Sequence, residues 1–376
     1  MSSLTFLPAQ ASNGVARTRR SARETAMKLI VQIPVLNEAD TIAEVLRDIP
    51  RQIAGIDIVE VLIVDDGCTD DTVAIAWANG ADHVVRHAGR KGLARAYQTG
   101  NDAALRLGAD IIVNTDGDHQ YPGSEIPRLI APILSGAAEV VIGDRQVGSV
   151  EHFSPLKKAL QQIGSGVVRW ASETDVPDTV SGFRALSREA ALRLFVTTDF
   201  SYTVENLIQA GKKGLTVMTV PITINPTVNR PSRLHNGNWN FIKRQAAIIA
   251  RTYATYEPLK TFSYLAAPFL VIGIALLCRA FYVYLARKFI NNYPEDNFQS
   301  LTLGGVMLIL GFVIFMFGII ADRIGGVRRV NEEQLYRLRA QIAADERWRR
   351  ELSARLDEIE QKLDDHGDDE SLEVQH

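Results

Sequence analysis

Asp110-Ile111-Ile112-Val113-Asn114-Thr115-Asp116-Gly117-Asp118-His119-Gln120 is the stretch whose reading decides the fold. A short apolar run ends in two carboxylates separated by one glycine. Such a run bounded by turn residues reads as a buried strand, and the Asp-Gly-Asp that follows reads as a turn at its carboxyl end. On that turn Asp116 and Asp118 can both point toward one hard cation, and the Gln120 amide adds a third oxygen. Oxygen ligands of this kind suit Mg2+ or Mn2+.

The same pattern recurs on either side. Lys28–Pro34 reads as a strand running into Asn37 and Glu38, and Ile56–Val64 as a strand running into Asp65 and Asp66. His83–Arg86, Glu139–Gly143 and Leu215–Val220 are further strands. Helical patterns at Ala39–Ile49, Thr69–Asn79 and Leu93–Leu107 fall between them. Strands alternating with helices predict a mostly parallel, doubly wound α/β sheet, in which ligands bind beyond the carboxyl ends of the strands. Asp178-Thr179-Val180-Ser181-Gly182-Phe183-Arg184 is read as a third acidic cluster of this type. Asp65 and Asp66 can accept hydrogen bonds from a base or ribose, or serve the helix that follows as caps. Arg90-Lys91-Gly92 precedes a helix start, where amides and cations suit a phosphate; the alternative is a solvated basic turn. Arg230, Ser232 and Arg233 lie in the Pro- and Asn-rich segment 225–238. That segment reads as a cationic loop able to close over a diphosphate, or as a juxtamembrane linker.

The chain has 376 residues and a net charge of −3, which gives no case for nucleic acid as a partner. Its two cysteines, Cys68 and Cys278, lie in unlike surroundings and are not expected to pair. Residues 1–26 read as a disordered tail and 27–235 as the soluble domain. Phe262–Ala286, interrupted by Pro268 and Arg279, and Leu301–Ala321 are each long enough to cross ~30 Å of hydrocarbon as a helix; a pair of buried core helices is the alternative. Basic residues at their outer ends, among them Arg251, Lys260, Arg323, Arg328 and Arg329, predict a two-span hairpin with the soluble domain and both termini in the cytoplasm. Residues 236–261 read as a juxtamembrane amphipathic helix, lying either in the headgroup layer or against the core. Leu335, Leu338, Ile342, Leu352, Leu356, Ile359 and Leu363 follow a 3-4 spacing. It predicts a coiled coil over residues 330–364, and hence a homo-oligomer, with a single solvated helix as the alternative. Residues 365–376 read as an acidic disordered tail.

Five motifs in order, Pro34-Val35-Leu36-Asn37-Glu38, Val64-Asp65-Asp66-Gly67, Asp116-Gly117-Asp118-His119-Gln120, Gly143-Asp144-Arg145 and Ser181-Gly182-Phe183-Arg184, resemble the inverting family 2 glycosyltransferases. Within them the chain is similar to the polyprenyl-phosphate type, from about Lys28 to Ala321. The resemblance implies a GT-A fold, a nucleoside-diphosphate sugar as donor and a polyprenyl monophosphate as acceptor. It implies metal ligation by Asp116, Asp118 and Gln120, and nucleotide contact by Pro34, Asn37, Glu38, Asp65, Asp66, Lys91, Gly92 and Asp116. Ser181, Gly182, Arg184 and Glu205 are expected at the donor sugar. Arg145, Ser165 and Lys158 are expected at the acceptor phosphate, with Arg230 and Arg233 clamping the diphosphate. Cys68 stands where that family usually has Ser, and the heptad tail lies outside its pattern.

Three other readings compete. A processive polysaccharide synthase would carry Gln-x-x-Arg-Trp, but Arg169-Trp170 follows Gly166 at that spacing. A sugar nucleotidyltransferase would open on a Gly-rich, Lys-ending signature that is missing here. An inactive membrane scaffold oligomerising through its tail would have no use for an intact Asp116 and Asp118.

Overall fold

A computed structural model describes residues 26–145, 166–196, 202–225, 238–289 and 298–373. Seven strands form one sheet: β1 (Lys28–Val35), β2 (Ile58–Asp65), β3 (His83–Arg86), β4 (Ile111–Asn114), β5 (Val140–Asp144), β6 (Arg184–Ser187) and β7 (Val217–Pro221). Their order is β3-β2-β1-β4-β6-β5-β7. β1 pairs in parallel with β2 and β4, and β5 with β7, whereas β6 runs antiparallel between β4 and β5. The connecting helices are α1 (Ile42–Asp48), α2 (Thr72–Ala78), α3 (Leu93–Arg106), α4 (Ile126–Leu134), α5 (residues 166–172), α6 (Arg188–Arg193) and α7 (Tyr202–Lys212).

Helices cover both faces, which is why β1 and β2 are apolar without alternation. Ile30, Leu62, Val64 and Ile112 point into a core shared with α3, α6 and α7. Leu29, Val31, Ile33, Val61, Ile63 and Val113 point the other way, into a core shared with α1 and α4. Each such side chain fully buried stabilises the fold by roughly 1.5–3 kcal/mol.

Element ends fall within a few residues of those expected, but one strand was not foreseen. Asp178–Arg184 does not follow a strand; it leads into β6. Because β6 is antiparallel, its amino-terminal end lies at the same sheet edge as the carboxyl ends of β4 and β5. The third acidic cluster therefore reaches the expected edge by a different route.

Beyond the sheet, α8 (Asn238–Tyr256) is followed by α9 (Pro258–Phe289) and α10 (Phe298–Glu373). Ile249, Tyr253 and Tyr256 of α8 pack on the core of the sheet domain and Ile248 is buried, so this half of the helix takes the core-facing reading and not the headgroup one. α9 and α10 are long and apolar enough to cross a membrane. Their facing sides carry small residues seven apart, Ala266, Gly273 and Ala280 on α9 against Gly304, Gly311 and Gly318 on α10. A Cβ on Gly273 would sit 2.8 Å from the Leu308 backbone nitrogen, and one on Gly311 2.8 Å from the Leu270 side chain. Small residues let the two backbones approach closely, the packing mode of helices in lipid. Large apolar residues such as Val271, Phe281, Ile309 and Phe312 face outward and are exposed. Arg279, the one charge inside the first apolar stretch, donates to Ser300 Oγ on the facing helix.

The residues expected to form a coiled coil continue the second span. The second apolar stretch and the heptad tail form a single helix of 76 residues. Part of that tail folds against the sheet domain, with Ala343 buried and Tyr336 and Ala340 packed on its core. Leu338 and Leu356 of the heptad stripe point away from the docked face, being 54% and 53% exposed, while Leu335 is half-buried.

Candidate active site

β4 ends at Asn114, a buried amide that fixes the turn beyond it. Asn114 Oδ1 accepts from Gln32 Nε2 at 3.1 Å, and its Nδ2 donates to the Gly182 carbonyl and to Tyr202 Oη, both at 2.9 Å. The Asp-Gly-Asp turn is then stitched to α1, where Thr41 Oγ1 donates to the Gly117 carbonyl at 2.6 Å. The His119 ring lies 3.5 Å from both the Glu44 and the Asp48 carboxylates. Asp118 is exposed and accepts the Gln120 amide at 3.1 Å.

Asp116 sits deeper. A Cβ on Gly182 would lie 2.9 Å from Asp116 Oδ2, so only glycine admits the carboxylate in this place. Burial first, then the neighbouring Asp118 and Glu38 charges, raise its pKa to about 7 against the pull of Arg145. No hydrogen-bond donor among the described residues is recorded on this carboxylate. It is an acid short of counter-charge, the electrostatic condition that favours a cation.

Arg145 follows β5 and meets Asp178 in a two-pronged ion pair, Nε to Oδ2 at 2.7 Å and Nη2 to Oδ1 at 3.0 Å. Burial works against the guanidinium's charge, but Asp178 outweighs it and the pKa rises above its ordinary value. Next to the pair, Tyr121 stacks on Phe183 with centroids 5.2 Å apart and accepts the Gly182 amide at 3.3 Å. Burial pushes the Tyr121 phenol up to about 12, so it remains neutral.

At the β1 and β2 ends the acids are committed to the backbone. Asp65 Oδ1 accepts the Gly67 and Cys68 amides at 3.0 and 2.7 Å, and Oδ2 accepts Arg86 Nε at 2.6 Å. Burial of Asp65 favours its neutral form, yet these donors together hold its pKa below the ordinary value. Gly67 has φ 91°, and a Cβ there would lie 2.9 Å from the Arg90 nitrogen. Asp66 accepts the Lys91 and Gly92 amides at 2.7 and 2.8 Å and faces His87 Nδ1 at 2.9 Å. It therefore ties down the loop that leads into α3 without bonding an amide of the helix itself, while α2 is served by Asp70, whose Oδ1 accepts the Thr72 amide at 3.1 Å. The Lys91 and Gly92 amides are thus spoken for by a side chain of the protein, leaving the exposed Arg90 and Lys91 side chains as the cations of this corner. Asn37, at φ 56°, ties the two loops together: its Oδ1 accepts the Thr69 amide at 2.8 Å. Glu38 donates its amide to Thr72 Oγ1 at 2.8 Å. Pro34 closes the buried end of β1, paired with Val64. Burial pushes the Cys68 thiol up to about 11, which leaves it a poor nucleophile.

Arg184 differs from its expected place at the donor sugar. Its guanidinium is buried and donates to the carbonyls of Ser181, Thr203 and Thr179 at 2.8, 2.7 and 3.0 Å. It shapes the Thr179–Gly182 loop from beneath. Ser181 and Glu205 are also buried, Glu205 meeting Gln209 Nε2 at 3.3 Å. Lys158, Ser165, Arg230 and Arg233 lie outside the described residues. The segment carrying the last two begins beside the acidic turn, because Asn225 donates its amide to the Gln120 carbonyl at 3.0 Å and its Nδ2 to the His119 carbonyl at 3.0 Å.

Sequence reasoning missed Asn114, Tyr121, Tyr202 and the pairing of Asp178 with Arg145. Asn114 offered one signal, a polar residue at the end of an otherwise apolar strand; the others are set by tertiary packing.

A family model described as glycosyl transferase family 2 matches residues 30–195. Glycosyltransferase AglJ of Haloferax volcanii is 27% identical over 317 residues, 81% of this chain and 95% of that one. Polyprenol monophosphomannose synthase of Mycolicibacterium smegmatis is 26% identical over 243 residues, 62% of this chain and 90% of that one. An uncharacterized glycosyltransferase of Mycobacterium bovis is 30% identical over 209 residues, 54% of this chain and 88% of that one. A crystal structure of glucosyl-3-phosphoglycerate synthase from Mycobacterium tuberculosis, in complex with Mn2+, UDP and phosphoglyceric acid, is similar with a TM-score of 0.48 at 24% identity, over 61% of this chain and 78% of that one. The family match, the level and extent of identity, and a mostly parallel sheet with an acidic turn at the end of β4 agree: this chain is a GT-A glycosyltransferase and belongs to glycosyl transferase family 2.

Proposed function

We propose that the enzyme moves one sugar from a nucleoside diphosphate to a polyprenyl monophosphate at a membrane surface, with inversion at the anomeric carbon. The observation that carries this reading is the juxtaposition, in one cleft, of an under-compensated acid and a half-buried guanidinium: Asp116 with Asp118, and Arg145 held by Asp178. The first suits a cation-bound diphosphate and the second a separate anion. The cleft belongs to a domain joined to two apolar helices, and a relative carries the name polyprenol monophosphomannose synthase.

The residues fit a hard divalent cation. Two carboxylates and the Gln120 amide supply oxygen ligands of the kind such an ion takes. Mg2+ or Mn2+ held there would supply Lewis-acid stabilisation of the departing nucleoside diphosphate. Asp65, Glu38 and the Lys91 side chain border the nucleotide end, with Asp65 positioning its loop through the amides it accepts. Arg145 has two of its nitrogens fixed on Asp178, which orients the remaining Nη1 edge for an acceptor phosphate. A polyprenyl monophosphate is largely ionised near neutral pH, its second pKa being about 6. Its oxygen needs alignment behind the anomeric carbon more than it needs a base, so positioning supplies much of the rate. Arg230 and Arg233, in the segment that begins beside the acidic turn, close over the diphosphate. The two apolar helices span the bilayer with both termini in the cytoplasm, and the exposed heptad seam of α10 pairs with a second copy.

The test uses purified protein in mixed micelles, polyprenyl phosphate and labelled UDP-, GDP- and dTDP-sugars, with the product extracted into organic solvent. One donor should label a lipid carrying a single β-linked sugar from an α-linked donor, and chelator should abolish transfer. A retained anomeric configuration, a long polymer, or full activity in excess chelator overturns the proposal.

A further inference from the structure

The part of α10 that leaves the apolar stretch does not stand free. Arg339 reaches into a cleft between α3 and α6 with its side chain only 9% exposed. Its Nε and Nη2 donate to Asp102 Oδ1 on α3 at 3.0 and 2.6 Å. Its Nη1 donates to the Leu192 and Leu194 carbonyls at the carboxyl end of α6, at 2.6 and 3.0 Å. Cationic donors at a helix carboxyl end satisfy orphan carbonyls and oppose the helix dipole. One turn earlier Tyr336 donates to Glu189 Oε2 at 3.1 Å and lies under Arg193, 5.4 Å from its ring centre. One turn later Ala343 is buried, and beyond it Arg347 meets Asp110 at 3.8 Å. Positions 336, 339, 340, 343 and 347 lie on one helical face, distinct from the heptad seam.

A second fastening exists at the α8–α9 junction. Lys212 Nζ bridges Glu173 and Glu257 at 2.6 and 3.0 Å, and Trp170 lies against Tyr253 at 4.6 Å. A domain held at one junction can swivel; held at two it cannot. Beyond the apolar stretch α10 runs through Gly325 and Gly326 without a break, and a Cβ on either would meet nothing within 4 Å. Packing therefore does not demand these glycines, and helices bend most easily at such sites. The docked contacts, more than the stiffness of α10, must hold the domain in place.

We propose that the docked face of α10, with Arg339 as its positioning residue, is a strut that sets the height and tilt of the catalytic cleft over the bilayer. The helix first meets α8 where Arg328 donates to the Thr255 carbonyl at 3.0 Å, and Glu332 meets Lys213 at 3.3 Å; from Ala321 to Arg339 it rises roughly 27 Å at ~1.5 Å per residue, so the grip extends well beyond the membrane edge. This inference rests on the reading of α9 and α10 as spans and of the acceptor as a membrane lipid.

The experiment uses the full chain in nanodiscs, comparing wild type with Arg339→Ala and with the milder Asp102→Asn. Spin labels on α2 and on the exposed face of α10 report the distance between domain and strut without any substrate. The distance distribution should broaden in both variants. With polyprenyl phosphate embedded in the bilayer, KM for the acceptor should rise about tenfold, in keeping with the cost of misplaced reactants. The donor KM, and the rate with a short-chain acceptor phosphate free in solution, should remain at wild-type values. Arg339→Lys, which keeps the charge, should restore part of the lipid KM. Unchanged distances, or an equal fall in rate with both acceptors, overturns the strut. Broadened distances in a protein that transfers nothing to polyprenyl phosphate leave the strut standing and remove the acceptor assignment instead.

Discussion

Replacing Gly182 with alanine tests where the chemistry is centred, because the new methyl meets Asp116 before anything else. Its carbon would lie 2.9 Å from Oδ2, 3.2 Å from Oδ1 and 3.2 Å from Tyr202 Oη. Ordinary contact needs about 3.5 Å, so the carboxylate must retreat by roughly 0.6 Å. The Gly182 backbone cannot yield instead. Its carbonyl is held by Asn114 Nδ2 at 2.9 Å and its amide by Tyr121 Oη at 3.3 Å, and Asn114 is anchored in turn by Gln32. Overpacking of this kind costs about 1–3 kcal/mol, which a folded domain survives. Displacing a reacting group by 1 Å costs about a hundredfold in rate, so a fall in kcat/KM of between about tenfold and a hundredfold is expected. Initial rates measured across a Mn2+ titration should show the loss together with a weaker apparent metal affinity, while thermal unfolding shifts only slightly. Wild-type rates and wild-type metal dependence in Gly182→Ala would refute the placement of the metal at Asp116.

Three further outcomes are expected. With its pKa raised to about 7, Asp116 keeps its proton in the folded, metal-free protein over a range where the unfolded chain, with a carboxylate pKa of ~3.9, has lost it. This group therefore makes the metal-free protein less stable as pH rises from ~4 toward 7, and metal binding weaker as pH falls below 7; calorimetry with and without Mn2+, against Asp116→Asn, reads both. Asp65 has the opposite sign: its lowered pKa gives stability present above ~3.9 and lost as pH falls through the folded value, so Asp65→Asn should cost about 1–3 kcal/mol at pH 7 and progressively less as pH falls below ~3.9 in thermal unfolding. Gly311→Leu should force the α9–α10 hairpin apart against Leu270 at a cost of about 1–3 kcal/mol, seen as a lower midpoint of unfolding in micelles, whereas Gly305→Leu, with nothing within 4 Å of its Cβ, should leave the midpoint near wild type.

Much of the parallel core was legible because its strands are buried on both faces and so read as unbroken apolar runs. Val61–Val64 is of this kind and Leu29–Ile33 is broken only by the buried Gln32, and the acids at their ends mark the sheet edge without any knowledge of pairing. β6 was illegible for the converse reason. It is four residues long and opens on Arg184, a charge that local reading sends to a ligand. The fold instead spends that charge on three backbone carbonyls. The partners of the site are also beyond local reading. Asp178 lies 33 residues from Arg145, and Asp102 lies 237 from Arg339. Nothing in a window of either residue names the other. The tail misled in a narrower way. Leucine spacing reports a stripe, but the face that docks uses Ala340, Ala343, the Tyr336 ring and an arginine stem. Such residues cover surface without registering as hydrophobic.

The antiparallel strand explains how two distant acidic motifs come to share one cleft. In a sheet of parallel strands alone, a motif placed before a strand would open on the edge opposite Asp116. Inserting β6 in reverse between β4 and β5 brings its leading loop to the carboxyl edge, with Arg184 level with Asn114 on one side and Ile142 on the other. That register sets Gly182 against Asp116, and Asp178 within reach of Arg145 as it leaves β5. A slip of one residue would turn Arg184 out of its carbonyl nest and remove the loop's support from below, since alternate strand residues face opposite sides. The buried arginine is thus what holds the acid and the cation of the site in one frame, though it touches neither.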